Sequence, residues 1–574
     1  MSATLFPTLA ASRRLPNAWD VLAILCVFAA LIAVGHVAEG TMMSISAPGA
    51  VEVSLSPWRL PEYAVRTTLR MFAALALALL FTFTYGTAAA KSRRAGLVLI
   101  PILDVLQSVP ILGFLTFTVV FFMGLFPGQV LGLELAAIFA IFTSQAWNMA
   151  FSLYQSLKTV PADLTEASNS FHLSGWQRFW KLEVPFAVPG LVWNTMMSMS
   201  GGWFFVVASE AVTVGDASWK LPGIGSYVAV ALEQRDIAAV LWAILAMLVV
   251  ILAYDQLLFR PLVAWSSKFR FETTAGASAA DPWMLRLIRR TRLLRQAGEV
   301  IGDAAGMVTG LPLFSRLTAR GRYQPPSRVV DIVWLVILAT IVLYASWRLS
   351  SFAAVSLGLS DVLQAVGLGL ITLVRVVVLM ILASLLWVPV GVWLGLRPDW
   401  ARRAQPAAQF LAAFPANLLF PPVVLAIVHF HLSPDIWLTP LMILGTQWYI
   451  LFNVIAGAAA FPGDLQEAAK NFRIGGLLWW RKVIIPGIFA YYVTGAITAS
   501  GGCWNAAIVA EVASWGNTKL QAHGLGAYIA NATDKGDMAR VVLGVVVMSA
   551  FVVLFNRLLW RPMYAYAQRR LTLA

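Results

Sequence analysis

The sequence predicts an all-α, polytopic membrane protein made of two parallel six-helix repeats, about twelve transmembrane helices in all. Three observations carry this. The chain has 574 residues, 60% hydrophobic and 12% charged, with a mean hydropathy of +0.77; multi-span membrane proteins look like this and soluble domains rarely do. Apolar runs of roughly 18 or more residues recur along its length, which favours spanning helices over barrel strands. A polar stretch also occurs twice, as PADLTEASNSFHLSGWQRFWKLEVP from Pro161 to Pro185 and PGDLQEAAKNFRIGGLLWWRKVIIP from Pro462 to Pro486.

The two stretches pair Asp163 with Asp464, Glu166 with Glu467, Ala167 with Ala468, Gly175 with Gly476 and Pro185 with Pro486, at one offset of 301 (467 − 166). The offset continues through Trp203/Trp504, Glu210/Glu511, Gly223-Ile224-Gly225/Gly524-Leu525-Gly526 and Arg260-Pro261/Arg561-Pro562. Register held over about a hundred residues is the mark of an internal repeat. Earlier in each half, Arg70/Arg375, Gly86/Gly391 and Pro110/Pro415 stand 305 apart (375 − 70).

Taken in order, Arg13-Arg14 precede a first span from Asp20 to about Val37, read as uncleaved because no clear cleavage site follows. A polar segment from Glu39 to Tyr63 is the first external loop. The second span begins near Arg66 and ends inside at Lys91, Arg93 and Arg94. The third carries Pro101 and Pro110, and the fourth runs from about Leu133 to Leu157 into the first polar stretch. The fifth starts at Pro185. An external segment from Glu210 to Asp236 follows, and the sixth span ends at Arg260-Pro261. The second half repeats the plan, with spans expected near 328–347, 361–396, 405–430, 436–458, 484–510 and 538–559. Six spans return the chain to its starting side, so the repeats share one orientation. The expected domains are a first repeat at 1–265, a basic linker at 266–327 and a second repeat at 328–574. The linker holds ten basic residues against four acidic ones. Trp283 to Ile301 reads either as a helix on anionic lipid or as plain basic linker.

The formal charge is +14, but the basic residues lie in short clusters at the ends of apolar runs. That is the positive-inside pattern rather than a nucleic-acid face. It places both polar stretches, the linker and both termini on the cytosolic side of a bacterial-type cytoplasmic (inner) membrane. The two cysteines, Cys26 and Cys503, lie in apolar runs, and no metal-ligand spacing, phosphate loop or nucleophile elbow occurs. An enzyme, a resident metal and a bound cofactor are therefore not expected.

Each polar stretch reads as a helix start, with acids in the first turn against the positive end of the helix dipole. Ala167 and Ala468-Ala469 keep its surface small, and Phe171 and Phe472 are expected to anchor it to the membrane-side body. A small-surfaced helix shown twice on one face suits docking on a partner. The stretch resembles the EAA loop of ABC-importer permeases, including the proline nineteen residues after the glutamate (185 − 166). The block Trp-(x)6-Glu with Gly-x-Gly-x-Tyr resembles the nitrate/sulfonate/taurine/bicarbonate branch, and most closely its duplicated anion permeases. The family's glycine six residues after the glutamate is replaced by His172 and Arg473, and its second alanine by Ser168 in the first copy.

The resemblance implies a type I ABC importer-like fold. It implies that Asp163, Glu166, Ala167 and Gly175, with Asp464, Glu467, Ala468, Ala469 and Gly476, couple to two ABC ATPase subunits that bind ATP and Mg. An extracytoplasmic substrate-binding protein and a small anionic substrate complete the expected system, with the lipid bilayer around it and no nucleic acid. An ion-gradient-driven secondary transporter is the alternative, although inverted repeats or paired intramembrane acids are not evident. For the translocation path the candidates are Asn194, Ser198, Ser200 and Trp203, with Thr498, Ser500, Trp504 and Asn505. Their small neighbours serve either close helix packing or a pore. Arg70 and Arg375 join them, placed inside spans either to attract an anion or to snorkel to head groups.

Overall fold

Long apolar helices dominate, as the hydropathy predicts. In the computed structural model six helices among the described residues are long and apolar enough to cross a membrane: Pro57–Lys91, Val130–Lys158, Ile237–Ser266, Leu359–Gly395, Gly476–Ala510 and Met538–Ala567. The described residues are 52–108, 111–214, 217–269, 282–310, 357–414, 416–459, 463–515 and 518–570, with 461 and scattered positions in 19–50 and 329–351. The expected spans at Asp20 to Val37 and at 328–347 lie largely outside them.

Several of the other expected spans are broken into shorter helices. Of the third, Arg93–Ser108 and Ile111–Leu125 are helical among the described residues. The one expected at 405–430 divides into Pro398–Ala413, a 3-10 turn at Ala416–Leu419, and Phe420–His429. The next becomes Pro434–Trp437, Thr439–Met442 and Trp448–Ala459. Pro421, Pro434 and Pro440 each sit in the first turn of the piece they begin. There the missing amide costs no hydrogen bond, whereas in a helix interior it would.

At four other prolines the helices run on by widening. Five-residue π turns occur at Phe179–Glu183, Asp255–Phe259, Trp480–Ile484 and Asn556–Trp560. Each ends two residues before a proline: Pro185, Pro261, Pro486 and Pro562. A proline cannot donate to the carbonyl four residues back and its ring crowds that carbonyl. A turn bonded to the fifth residue relieves the crowding without ending the helix. A fifth π turn, Thr82–Gly86, has no such proline; there the Thr84 hydroxyl donates to the carbonyls of Leu80 and Phe81, which loosens the ladder in the same way.

The segment after Glu210, expected to be external, holds a hairpin and a helix. Strands β1 (Ala211–Val214) and β2 (Ala217–Lys220) pair antiparallel, with Ala211 opposite Lys220, and helix Ile224–Gln234 follows. Strands β3 (Val512–Trp515) and β4 (Thr518–Gln521) pair with Val512 opposite Gln521 and lead into helix Leu525–Asp534. These hairpins qualify the all-α expectation.

The chain packs as two compact units. One gathers Met1–Glu39, Pro161–Pro189 and Asp255–Tyr323; the other gathers Gly40–Val160, Gly190–Tyr254 and Gln324–Ala574. The linker contributes helices Trp283–Arg290 and Arg292–Gly310 to the first. In the second, Gly391 lets helix Leu359–Gly395 approach helix Trp448–Ala459, since a Cβ there would lie 2.7 Å from a Val454 methyl. The core of this unit includes Met380, Val454, Ala499, Trp504 and Met548.

Candidate functional site

Each polar stretch forms a short helix. The first, Ala162–Ser170, has Pro161 at its N-cap and Asp163 in its first turn. The second is Gly463–Asn471. Glu166, Ala167 and Asp163 are exposed, as is Glu467, while Ala468 and Gly175 are half-buried and Gly476 is exposed; Ser168 and Ala469 are the residues turned inward, each 4% exposed. Phe171 and Phe472 do not anchor their helices. They are 79% and 78% exposed, because each falls at the helix C-cap, where the backbone is leaving the packed face.

The chain turns next through His172 and Arg473, both at a φ of 51°. The amide of His172 donates to Asn169 O and that of Leu173 to Ser168 O; Arg473 and Ile474 donate to Lys470 O and Ala469 O in the same way. This is the Schellman ending, whose left-handed residue is usually glycine. The glycine of the resembled family would stand at this point, and the side chains here carry a steric cost of about 1 kcal/mol each. Replacing His172 and Arg473 by glycine is therefore expected to slow amide exchange at residues 168–173 and 469–474, measured by hydrogen-exchange mass spectrometry; faster exchange would contradict the strain.

A second constellation is buried in the larger unit and occurs twice. The Arg70 guanidinium gives Nε and Nη2 to Glu134, at 2.6 and 2.7 Å, and Nη1 to Glu210 at 2.7 Å. Thr67 donates to Glu210 at 2.7 Å and accepts the Ile224 amide at 2.9 Å, while the Gly225 amide donates to the other Glu210 oxygen at 2.7 Å. Glu210 thus caps the N-terminus of helix Ile224–Gln234, where a negative charge is favoured. In the second half Arg375 meets Glu511 at 3.1 Å and Asp435 at 2.9 Å. Thr372 bridges Glu511 and the Leu525 amide, and Ala527 donates to Glu511. A Cβ on Gly223 or Gly524 would run into the corresponding carboxylate, so only glycine admits it.

The copies differ in their second carboxylate. Glu134 is 4% exposed, whereas the Asp435 side chain is 41% exposed and bonds the His523 amide and ring. Burial pulls the Asp435 carboxyl upward, but the His523 hydrogen bonds and the charges of His523 and Arg375 outweigh it and hold the group below its ordinary range.

Arg70 and Arg375 therefore neither snorkel nor stand ready for an anion; their guanidinium groups are taken up by carboxylates. Glu134 could not be paired with Arg70 from spacing alone, although a glutamate inside an apolar run is costly enough to demand a partner. Breaking a buried pair by removing one member costs about 3–5 kcal/mol. Arg70→Leu is expected to abolish monodisperse folded protein in size-exclusion chromatography, whereas a substrate-binding arginine would give a folded protein that only fails to transport.

The path candidates divide. Thr498 and Asn505 line a cavity of about 100 Å3 in the larger unit, with Gln107, Ser144, Trp147, Asn148, Gly201, Thr446, Tyr449, Gly501 and Gly502 among its other walls. Ser200 and Ser500 line two much smaller pockets. Asn194 donates to Ser152 Oγ and Gly190 O, both at 3.0 Å, and Ser198 is buried without a hydrogen-bond partner. Trp203 stacks on Tyr254 and donates to its hydroxyl at 3.1 Å; Trp504 stacks on Phe551. These two tryptophans are core residues, 0% and 1% exposed. Among the described residues no cluster of three or more potential metal ligands occurs.

Residues 81–259 match the family described as binding-protein-dependent transport system inner membrane component. Three curated relatives are similar over about a third of the chain. The bicarbonate transport system permease protein CmpB of Synechococcus elongatus is 27% identical over 176 residues, 31% of this chain and 60% of the relative. The nitrate import permease protein NrtB of Leptolyngbya laminosa is 25% identical over 187 residues, 33% of this chain and 63% of the relative. The glycine betaine/proline betaine permease protein ProW of Escherichia coli is 29% identical over 186 residues, 32% of this chain and 48% of the relative. The chain thus spans less than two thirds of each.

Proposed function

We propose that this chain, which carries a permease domain of binding-protein-dependent transport systems over residues 81–259, is the membrane subunit of an ATP-driven importer for a small anion of the nitrate or bicarbonate kind. The observation that carries the reading is the pair of short helices, Ala162–Ser170 and Gly463–Asn471, which present Glu166 and Glu467 to solvent and end in exposed Phe171 and Phe472. An acid at the centre of a small surface, with an aromatic knob at one end, fits a cleft on a partner better than it serves its own domain.

In this reading each helix seats on one of two ATPase subunits, which supply ATP, Mg and the power stroke. An extracytoplasmic binding protein delivers substrate, and the surrounding spans move between inward- and outward-open states. The recurrence of hairpin, capped helix, π turn and buried arginine cluster supports one chain providing both membrane halves, with both polar stretches and both termini on the cytosolic side of the inner membrane. The relatives' names support the anion class.

Glu166→Arg with Glu467→Arg tests it. A mismatched charge in a desolvated cleft costs several kcal/mol, of order 2–5. The double variant should reach the membrane folded yet lose the co-purifying ATPase and substrate-stimulated ATP hydrolysis; each single variant should lose part of both. Unchanged ATPase recovery and uptake in the double variant, or uptake by the chain alone in vesicles with only an ion gradient, would overturn the reading.

A further inference from the structure

A groove of about 540 Å3 lies between helices Leu359–Gly395, Gly476–Ala510 and Met538–Ala567 of the larger unit. Ile381 and Leu385 on its wall are 54% and 70% exposed, so it opens sideways from the spans rather than being enclosed among them. The wall is apolar apart from two hydroxyls, and these are spent. Ser384 donates to Met380 O at 2.7 Å and accepts from Tyr492 at 2.9 Å. The indole N–H of Trp560 is occluded. A wall without a free donor gives a polar ligand nothing to bond, whereas a hydrocarbon chain gains dispersion contacts along its whole length.

The groove has a measurable extent and a charged end. Thr372 bonds Glu511 and Ser384 bonds Tyr492, so the first two helices run antiparallel. Val388 and Ile485 therefore mark one end, and Val377 the other. The eleven steps from Val377 to Val388 (388 − 377) cover about 16 Å at 1.5 Å per residue. One leaflet of a bilayer's hydrocarbon core is about 15 Å deep. At the Val388 end, Arg481 stands one turn before Ile485, with Lys482 next to it. Both are exposed, and neither has an ion pair among the described residues. The site is one-sided: at the 301 offset Arg481 replaces Trp180, and Tyr492 replaces Leu191. The described residues of the apolar stretch at 329–351 are all exposed, so that stretch does not fill the groove.

We propose that this groove holds one anionic phospholipid, with an acyl chain along the wall from Val388 towards Val377 and its phosphate on Arg481 and Lys482. Basic side chains at the edge of the hydrocarbon core attract anionic head groups, and the groove adds a seat for one chain. The proposal needs the protein to span a membrane and does not depend on what it transports.

The test titrates the full chain, stripped of lipid in a neutral detergent, with phosphatidylglycerol or phosphatidylcholine of the same acyl chains, and counts bound lipid by native mass spectrometry. One phosphatidylglycerol should bind per chain, at least tenfold more tightly than phosphatidylcholine. Arg481→Gln with Lys482→Gln should abolish that preference. Ile381→Trp with Leu385→Trp, which fills the groove, should weaken both lipids at least tenfold in a monodisperse protein. Leu385→Cys, with Cys26 and Cys503 replaced by alanine, should react with a maleimide when stripped. Phosphatidylglycerol should protect it and glycerophosphoglycerol, the head group alone, should not. Equal binding of the two lipids by wild type, or an unchanged preference in the glutamine variant, would overturn the proposal. So would protection by the head group alone. A Leu385→Cys thiol already blocked in the stripped protein would show that a segment of this chain or a second copy covers the groove, and would overturn it too. None of these outcomes bears on the importer reading, which the Glu166 and Glu467 variants test separately.

Discussion

An arginine inside an apolar helix is costly unless its charge is paired, and this requirement organises the surroundings of two long helices here. Arg70 satisfies it with Glu134 and Glu210, and Arg375 with Glu511 and Asp435. The carboxylates then have acceptor capacity to spare, and it is spent on threonine hydroxyls and on the amides that open helices Ile224–Gln234 and Leu525–Asp534. The β-hairpin lies between the glutamate and the helix that it caps, and the Leu221 and Ala522 amides return to the carbonyls of Glu210 and Glu511 at 2.9 Å. One ion cluster therefore fixes a spanning helix, a hairpin and a capped helix at once. The energetic logic is that of a network in which each member is satisfied; removing any one strands the others in a low-dielectric interior.

Much of this was legible in the sequence, and the remainder was hidden for physical reasons. The 301 offset identified the two short helices and their acidic first turns, because helix starts depend on local residues. It also paired Glu210 with Glu511 and the two Gly-x-Gly blocks. It could not say that Glu210 reaches Arg70, since that bond spans 140 positions and depends on how helices cross. Phe171 and Phe472 were misjudged because hydrophobic character predicts burial only when the residue falls on the packed face. Ser168 and Ala469, four-per-cent exposed and small, hold that face instead. The replacement of glycine by His172 and Arg473 was visible, but its meaning, a left-handed backbone at both, needed dihedral angles.

Proline acts in several ways that sequence alone merges, and two of them recur. Within 405–460 it begins short helices and breaks the expected spans. At Pro185, Pro261, Pro486 and Pro562 it is absorbed by a π turn and the helix continues. A π turn is also a place where a ladder can shift by one residue without breaking.

The two halves match most closely where they hold the fold and least where they enclose space. Threonine, arginine, glutamate and glycine recur in both clusters, because a buried charge tolerates few solutions. Some positions of the cavity do not recur, Asn148 standing where the second half has Tyr449 and Ser144 where it has Gly445, while Gly201 recurs as Gly502. A cavity walled by identical halves would present each donor twice, at mirrored distances, and would suit a symmetric ligand or two. Unequal walls present an asymmetric set of groups, which suits a single small ligand better than a symmetric one.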